Sequence, residues 1–141
     1  MEMKNITLND LRDLLDEAGV SCKKKDDVLI ASLSADSDFG HDVGIIFTFE
    51  GESGSRMRVV SWSGSFQAPR ADRVKALEFC NAWNADKAVP RAYLDEDGDF
   101  RLDLSLFTDV EIDASYVKEN FIRLFMATSW QFFKDAGREF E

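Results

Sequence analysis

The stretch from Phe79 to Leu106 constrains the fold more than any other, because it dictates a helix end, a tight turn and a half-buried strand in quick succession. On its last arm Phe100, Leu102, Leu104 and Leu106 alternate with Arg101, Asp103 and Ser105. That is the period of a strand with one buried and one wet face. Asp97-Gly98 before it is a favoured hairpin pair, since glycine and a short polar residue reach positive φ cheaply, and residues 88–94 supply the first arm. Pro90 cannot donate to a ladder, which sets that arm at a sheet edge or turns its nitrogen outward. Upstream, Asn81 and Asn84 stand at a helix end, where an amide can satisfy orphan backbone groups, and Trp83 anchors that end in the core.

The rest of the chain supplies the elements around this hairpin. Leu8, Leu11, Leu14, Leu15 and Ala18 line one side of a helix over 8–18, with Thr7 and Asp10 spaced as a capping pair and Gly19 as the left-handed end residue. Strands over 21–24 and 28–33 flank a turn at 25–27, and 34–40 reads as a polar loop. Val43, Ile45, Phe47 and Phe49 alternate along the next strand. After a loop at 51–55, the segment 57–66 carries Val60, Trp62, Gly64 and Phe66 on one face, expected to be core, and Ser61, Ser63 and Ser65 on a wet one. Pro69 opens a helix over 71–84, and a long final helix starts near Asp113, its N-cap. The order is α-β-β-β-β-α-β-β-α, an α+β layout of a mostly antiparallel sheet with helices packed against it. A chain of 141 residues, 45% hydrophobic, suffices for one core, so residues 1–141 are expected to form a single domain.

Asn81, Trp83 and Asn84 at a helix terminus, the Pro90 strand, the Asp97-Gly98 turn and the aromatic-rich final helix together resemble the YbjN family, described as bacterial sensory transduction regulators, over most of the chain. The resemblance implies a fold like that of type III secretion chaperones. It also implies pairing, because chaperones of this fold are usually dimers whose surfaces hold extended segments of a partner. The family offers no catalytic residues to carry over to positions here.

Charge narrows the partners. The formal charge is −10, and the short Lys23-Lys24-Lys25 run is followed at once by Asp26 and Asp27, which argues against nucleic acid and anionic membranes. The amino end lacks the apolar core of a signal peptide and no stretch reaches spanning length, so a cytoplasmic location is expected. Cys22 and Cys80, far apart in ordinary apolar patterns, read as buried thiols rather than a disulfide.

The final helix carries more apolar surface than one contact needs. Val117, Phe121, Leu124, Phe125, Thr128 and Phe132 share a face at 100° per residue, and Ile122, Met126, Trp130 and Phe133 form a second stripe beside it. Either both stripes are core, or Met126, Trp130 and Phe133, with Trp62 and Phe66 behind them, form a surface for a second subunit or a partner segment.

Motifs for chemistry are weak. Asp95, Asp97 and Asp99 lack the glycine and glutamate spacing of a calcium loop and read as a solvated turn. His41, the single histidine, has no zinc-ligand pattern around it, and serines with His41 and Asp42 make no recognisable nucleophile motif. No glycine pattern cradles a phosphate. No metal and no cofactor are expected. The leading reading is a non-enzymatic regulatory or chaperone-like domain, a homodimer that binds a protein segment. The alternative is a small-molecule sensor, or an enzyme, with a pocket between sheet and helices near Trp83, Asn84 and Tyr93.

Overall fold

A computed structural model describes residues 2–141. Strand β1 (Glu2–Met3) precedes helix α1 (Leu8–Glu17), after which come β2 (Lys23–Lys25), β3 (Val28–Leu33), β4 (Val43–Glu50) and β5 (Arg56–Trp62). Helix α2 (Arg73–Asp86), the hairpin β6 (Arg91–Leu94) and β7 (Phe100–Phe107), and the short β8 (Ile112–Asp113) complete the sheets. The terminal helix opens as one turn, α3 (Ala114–Tyr116), winds as a π-helix over Val117–Arg123 and finishes as α4 (Leu124–Phe140). Among the described residues the larger sheet runs β2-β3-β4-β5-β7-β6, antiparallel throughout. The architecture is α+β in the expected element order, with the β1–β8 ladder, too short to leave a sequence pattern, added at one end.

Local signals act where the sequence placed them. Thr7 Oγ accepts the Asp10 amide at 3.1 Å while Asp10 accepts the Thr7 amide at 2.9 Å, closing a capping box on α1. In the β6–β7 turn Gly98 has φ +83° and donates its amide to Asp95 O at 3.0 Å, a conformation in which glycine is at ease. β6 is an edge strand, as Pro90 demands. Its outer side is covered by one amide: Asn84 donates Nδ2 to Ala92 O at 2.9 Å and accepts the Ala92 N–H at 2.8 Å. A side chain thereby stands in for a neighbouring strand and blunts that edge. Trp83, 7% exposed, gives its indole N–H to Pro90 O at 3.2 Å. Asn81 is exposed and bonds nothing through its side chain among the described residues, so the capping role expected for it is not filled.

The helices cover one face of the sheet. Leu29, Ala31, Val43, Ile45, Phe47, Met57, Val59, Ala92 and Leu102 are buried beneath them with Leu11, Leu15, Phe121, Phe125 and Phe132. This corrects the orientation expected for β5. Ile45 pairs with Ser61, Phe47 with Val59 and Phe49 with Met57, and residues directly opposite in a ladder share a face. Ser61 is therefore buried with Met57 and Val59, while Val60 and Trp62 join Arg56 and Arg58 on the open face. Ser61 Oγ finds no partner there. β5 ends at Trp62, the indole folds back over Gly64, and the chain turns so that Phe66 dips into the core.

The π winding corrects the final helix. An i→i+5 turn, closed by the Leu124 amide on Glu119 O, shifts the phase of the turns beyond it. Leu124 rotates out to 38% exposure, while Ile122 of the second stripe is fully buried.

Candidate protein-binding surfaces

The second stripe of the final helix is largely occupied by the molecule itself. Phe39, in the loop read as polar, is 2% exposed and packs against Phe66, Trp130 and Phe133, with ring centroids 5.2, 5.9 and 6.0 Å away. Asp36 shapes that loop by accepting the Asp38 and Phe39 amides at 2.7 and 3.1 Å. Phe133 and Phe66 are consequently core, which corrects their place in the expected interface. Met126 and Trp130 are half-buried against the same core. Trp62 lies apart from all four, on the opposite face of the sheet, so the five residues do not form one surface.

His41 does gather partners. Its ring sits between Phe39 and Phe66, Nδ1 is 2.8 Å from Ser65 Oγ and Nε2 is 2.7 Å from Glu141 Oε2. The order is that of a nucleophile, base and acid, yet the amide of Phe66, the residue after the serine, is spent on Ser63 O at 3.3 Å. The nearest oxyanion donor is thus engaged. The trio works as a clasp joining the Phe39 loop to the end of α4.

The open sheet face is a polar mosaic. Asp103, 6% exposed, accepts Arg58 Nη2 at 2.8 Å and Arg91 Nη2 at 2.8 Å, and Arg58 also donates to Tyr93 Oη at 3.0 Å. The Arg91 guanidinium lies over the Tyr93 ring at 5.0 Å and that of Arg101 over Trp62 at 5.1 Å. Asp99, 7% exposed, receives the Trp62 indole N–H at 3.0 Å and the Gln67 amide. Hydrogen bonding by Arg56, with Arg58 beside it, holds the Glu50 carboxyl below its usual range. Tyr93 belongs to this face and Trp83 to the buried one, so the pocket expected near Trp83, Asn84 and Tyr93 does not form.

At the hairpin tip the Asp95, Asp97 and Asp99 oxygens lie within 4.8 Å of one another. Asp95 Oδ1 accepts the Asp97 and Asp99 amides, and Oδ2 accepts Arg101 Nε at 2.7 Å. Burial pushes the Asp95 carboxyl up, but Arg101 and the two amides outweigh it and leave it low. These carboxylates build the turn. Beside them a polar cleft of about 790 Å³ is lined by Gln67, Arg70, Arg73, Glu96 and Asp99.

Cys22 and Cys80 are free thiols. Burial pushes Cys80 up to about 11 from 9.0. The unfolded thiol ionises first, so the folded state keeps a proton that the unfolded state releases, and stability falls as pH rises from 9.0 towards 11. Urea midpoints measured across that window are expected to drop in the wild type and less so in Cys80→Ala. Equal slopes would remove Cys80 as the cause.

Among the described residues two clusters of exposed apolar side chains stand out. On α2, Val74 and Leu77 are 68% and 46% exposed, and Ala85 shares their face at helical spacing. At the far end of β7, Phe107, Val110 and Tyr116 are 64%, 53% and 52% exposed and line a groove of about 460 Å³ with Leu106 and Ile112. Neither surface contains residues expected from the sequence to bind. The exposed phenylalanine at the end of an otherwise alternating strand was the available signal for the second. No helix among the described residues is long and apolar enough to cross a membrane.

The sequence model of the YbjN family, described as "Putative bacterial sensory transduction regulator", matches residues 7–137. Among solved structures the chain is similar to "Crystal structure of YbjN, a putative transcription regulator from E. coli", with a TM-score of 0.73 over 94% of this chain and 92% of that one, at 15% identity. At that identity the likeness is one of fold. Comparison with curated proteins gave no match.

Proposed function

Because the chain belongs to the YbjN family, a family of bacterial regulators, we propose that it is a non-enzymatic regulator that acts by binding another protein, working as a homodimer of one domain in the cytoplasm. The observation that carries this reading is the pair of exposed apolar surfaces, the Val74–Leu77 face of α2 and the Phe107–Val110–Tyr116 groove. Exposed apolar side chains clustered in this way mark sites of association. One surface serves the second copy and the other a segment of the regulated partner. Trp62, Met126 and Trp130 are half-buried and add partly accessible apolar area elsewhere on the molecule. The chain's charge of −10 favours partner segments with basic flanks.

The test combines solution mass with site-directed capture. Light scattering over a concentration series is expected to show a dimer. A benzophenone side chain placed at Leu77 is expected to capture a different protein in the bacterium, whereas one at exposed Glu17 captures none. A monomer at all concentrations would overturn the homodimer, and indistinguishable adducts at both positions would overturn the partner surface.

A further inference from the structure

The edge of β7 is only half covered. β6 pairs with β7 over Arg91–Leu94 and Phe100–Asp103 and stops there, because Pro90 precedes Arg91 and offers no N–H. Asn84 takes both backbone groups of Ala92 from outside, so Arg91 and Tyr93 turn theirs towards Asp103 and Arg101. By the alternation of an antiparallel ladder, the N–H and C=O of Ser105 and Phe107 face the same side, past the end of β6. Among the described residues nothing bonds them there. The space beside them is open: a groove of about 440 Å³ is lined by Ala88, Val89, Leu104 and Ser105, and the apolar groove is lined by the next two residues of β7, Leu106 and Phe107.

We propose that this half-edge is the dimer contact, where Ser105 and Phe107 pair antiparallel with Phe107 and Ser105 of a second copy about a two-fold axis through Leu106. The inference rests on the homodimer reading above. In this register each Ser105–Phe107 pair exchanges two backbone hydrogen bonds, and the four free groups of each chain are all used, with none left over. An isologous contact requires such self-complementarity.

Charge agrees with the register. The residue following Thr108 in one copy meets the start of β6 in the other, where the Arg91 side chain is 66% exposed. That residue is Asp109, itself exposed. A net charge of −10 opposes self-association in general, but in this groove Arg56, Arg58 and Arg91 stand against Glu50 and Asp103, so the contact lies where the chain's acidic excess is locally offset.

The register is testable by a disulfide. Directly opposite residues of a non-hydrogen-bonded antiparallel pair have Cα atoms about 4.5 Å apart, within disulfide reach. In a Cys22→Ser background, Leu106→Cys is expected to form a covalent dimer under oxidised glutathione several-fold faster than Leu104→Cys, which the two-fold axis keeps away from its symmetry mate. In the wild type, hydrogen exchange at the Ser105 and Phe107 amides is expected to slow as concentration rises. Unchanged exchange at those amides across the dimerisation range overturns the proposal, as do equal oxidation rates in folded variants. If light scattering shows a dimer while both results are negative, the homodimer stands and this contact falls. A monomer throughout removes both.

Discussion

Phe132→Ala is expected to lower the unfolding free energy by about 3–5 kcal/mol, the range for deleting a buried aromatic ring. Phe132 is fully buried, and its ring centroid lies 5.1 Å from Trp83, 5.2 Å from Phe133, 5.5 Å from Phe79 and 6.0 Å from Phe100. These neighbours come from α2, β7 and α4 itself, so none can move to fill the space without disturbing another element. Since whole domains are stable by only about 5–15 kcal/mol, the variant should lose a large part of its stability. Leu124→Ala serves as the control. Leu124 shares the same nominal helical stripe but is 38% exposed, and the change is expected to cost well under half as much. Urea unfolding of the two variants decides the matter; equal losses would mean that the π winding does not set the phase of α4.

Phe39 is the second large effect, and it reverses the sign of an ordinary helix substitution. Phe39→Ala is expected to cost about 3–4 kcal/mol, unusual for a residue in a loop of Ser, Asp and Gly. Gly137→Ala should then destabilise as well. Alanine in a helix is normally better than glycine by about 1 kcal/mol, but a Cβ at Gly137 would stand 2.8 Å from Phe39 Cδ1 and 3.1 Å from Cε1. The ring cannot swing clear, because His41, Phe66, Trp130 and Phe133 surround it. In the Phe39→Ala background the obstacle is gone and Gly137→Ala is expected to stabilise. Thermal midpoints of the four proteins in this cycle test the contact. A Gly137→Ala variant more stable than the wild type would show that the ring yields.

Several features were legible in the chain because their causes are local. The Thr7–Asp10 cap, the Gly98 turn, the edge placement forced by Pro90 and the alternation of β7 each depend on residues within a few positions of one another. The sense of β5 is also written in the parity that Arg56 and Arg58 share with Trp62, opposite to that of the serines. Two arginines fix an open face more strongly than a tryptophan fixes a buried one, since a guanidinium needs water or a partner while an indole tolerates a half-wet surface.

Other features depend on partners distant in sequence. That Asn84 caps a strand rather than its own helix comes from α2 lying along β6. That Phe133 and Phe66 are core comes from Phe39 crossing to reach them. The free backbone groups of Ser105 and Phe107 arise from where β6 happens to stop. By itself the sequence determined the element types and order, the α+β class, the hairpin and its edge, and a net charge of −10, because periodicity, turn chemistry and charge are properties of short segments. Only the tertiary structure decided which faces are covered and which edges stay open, because burial is a relation between elements, and one ring from a loop or one strand ending early is enough to change it.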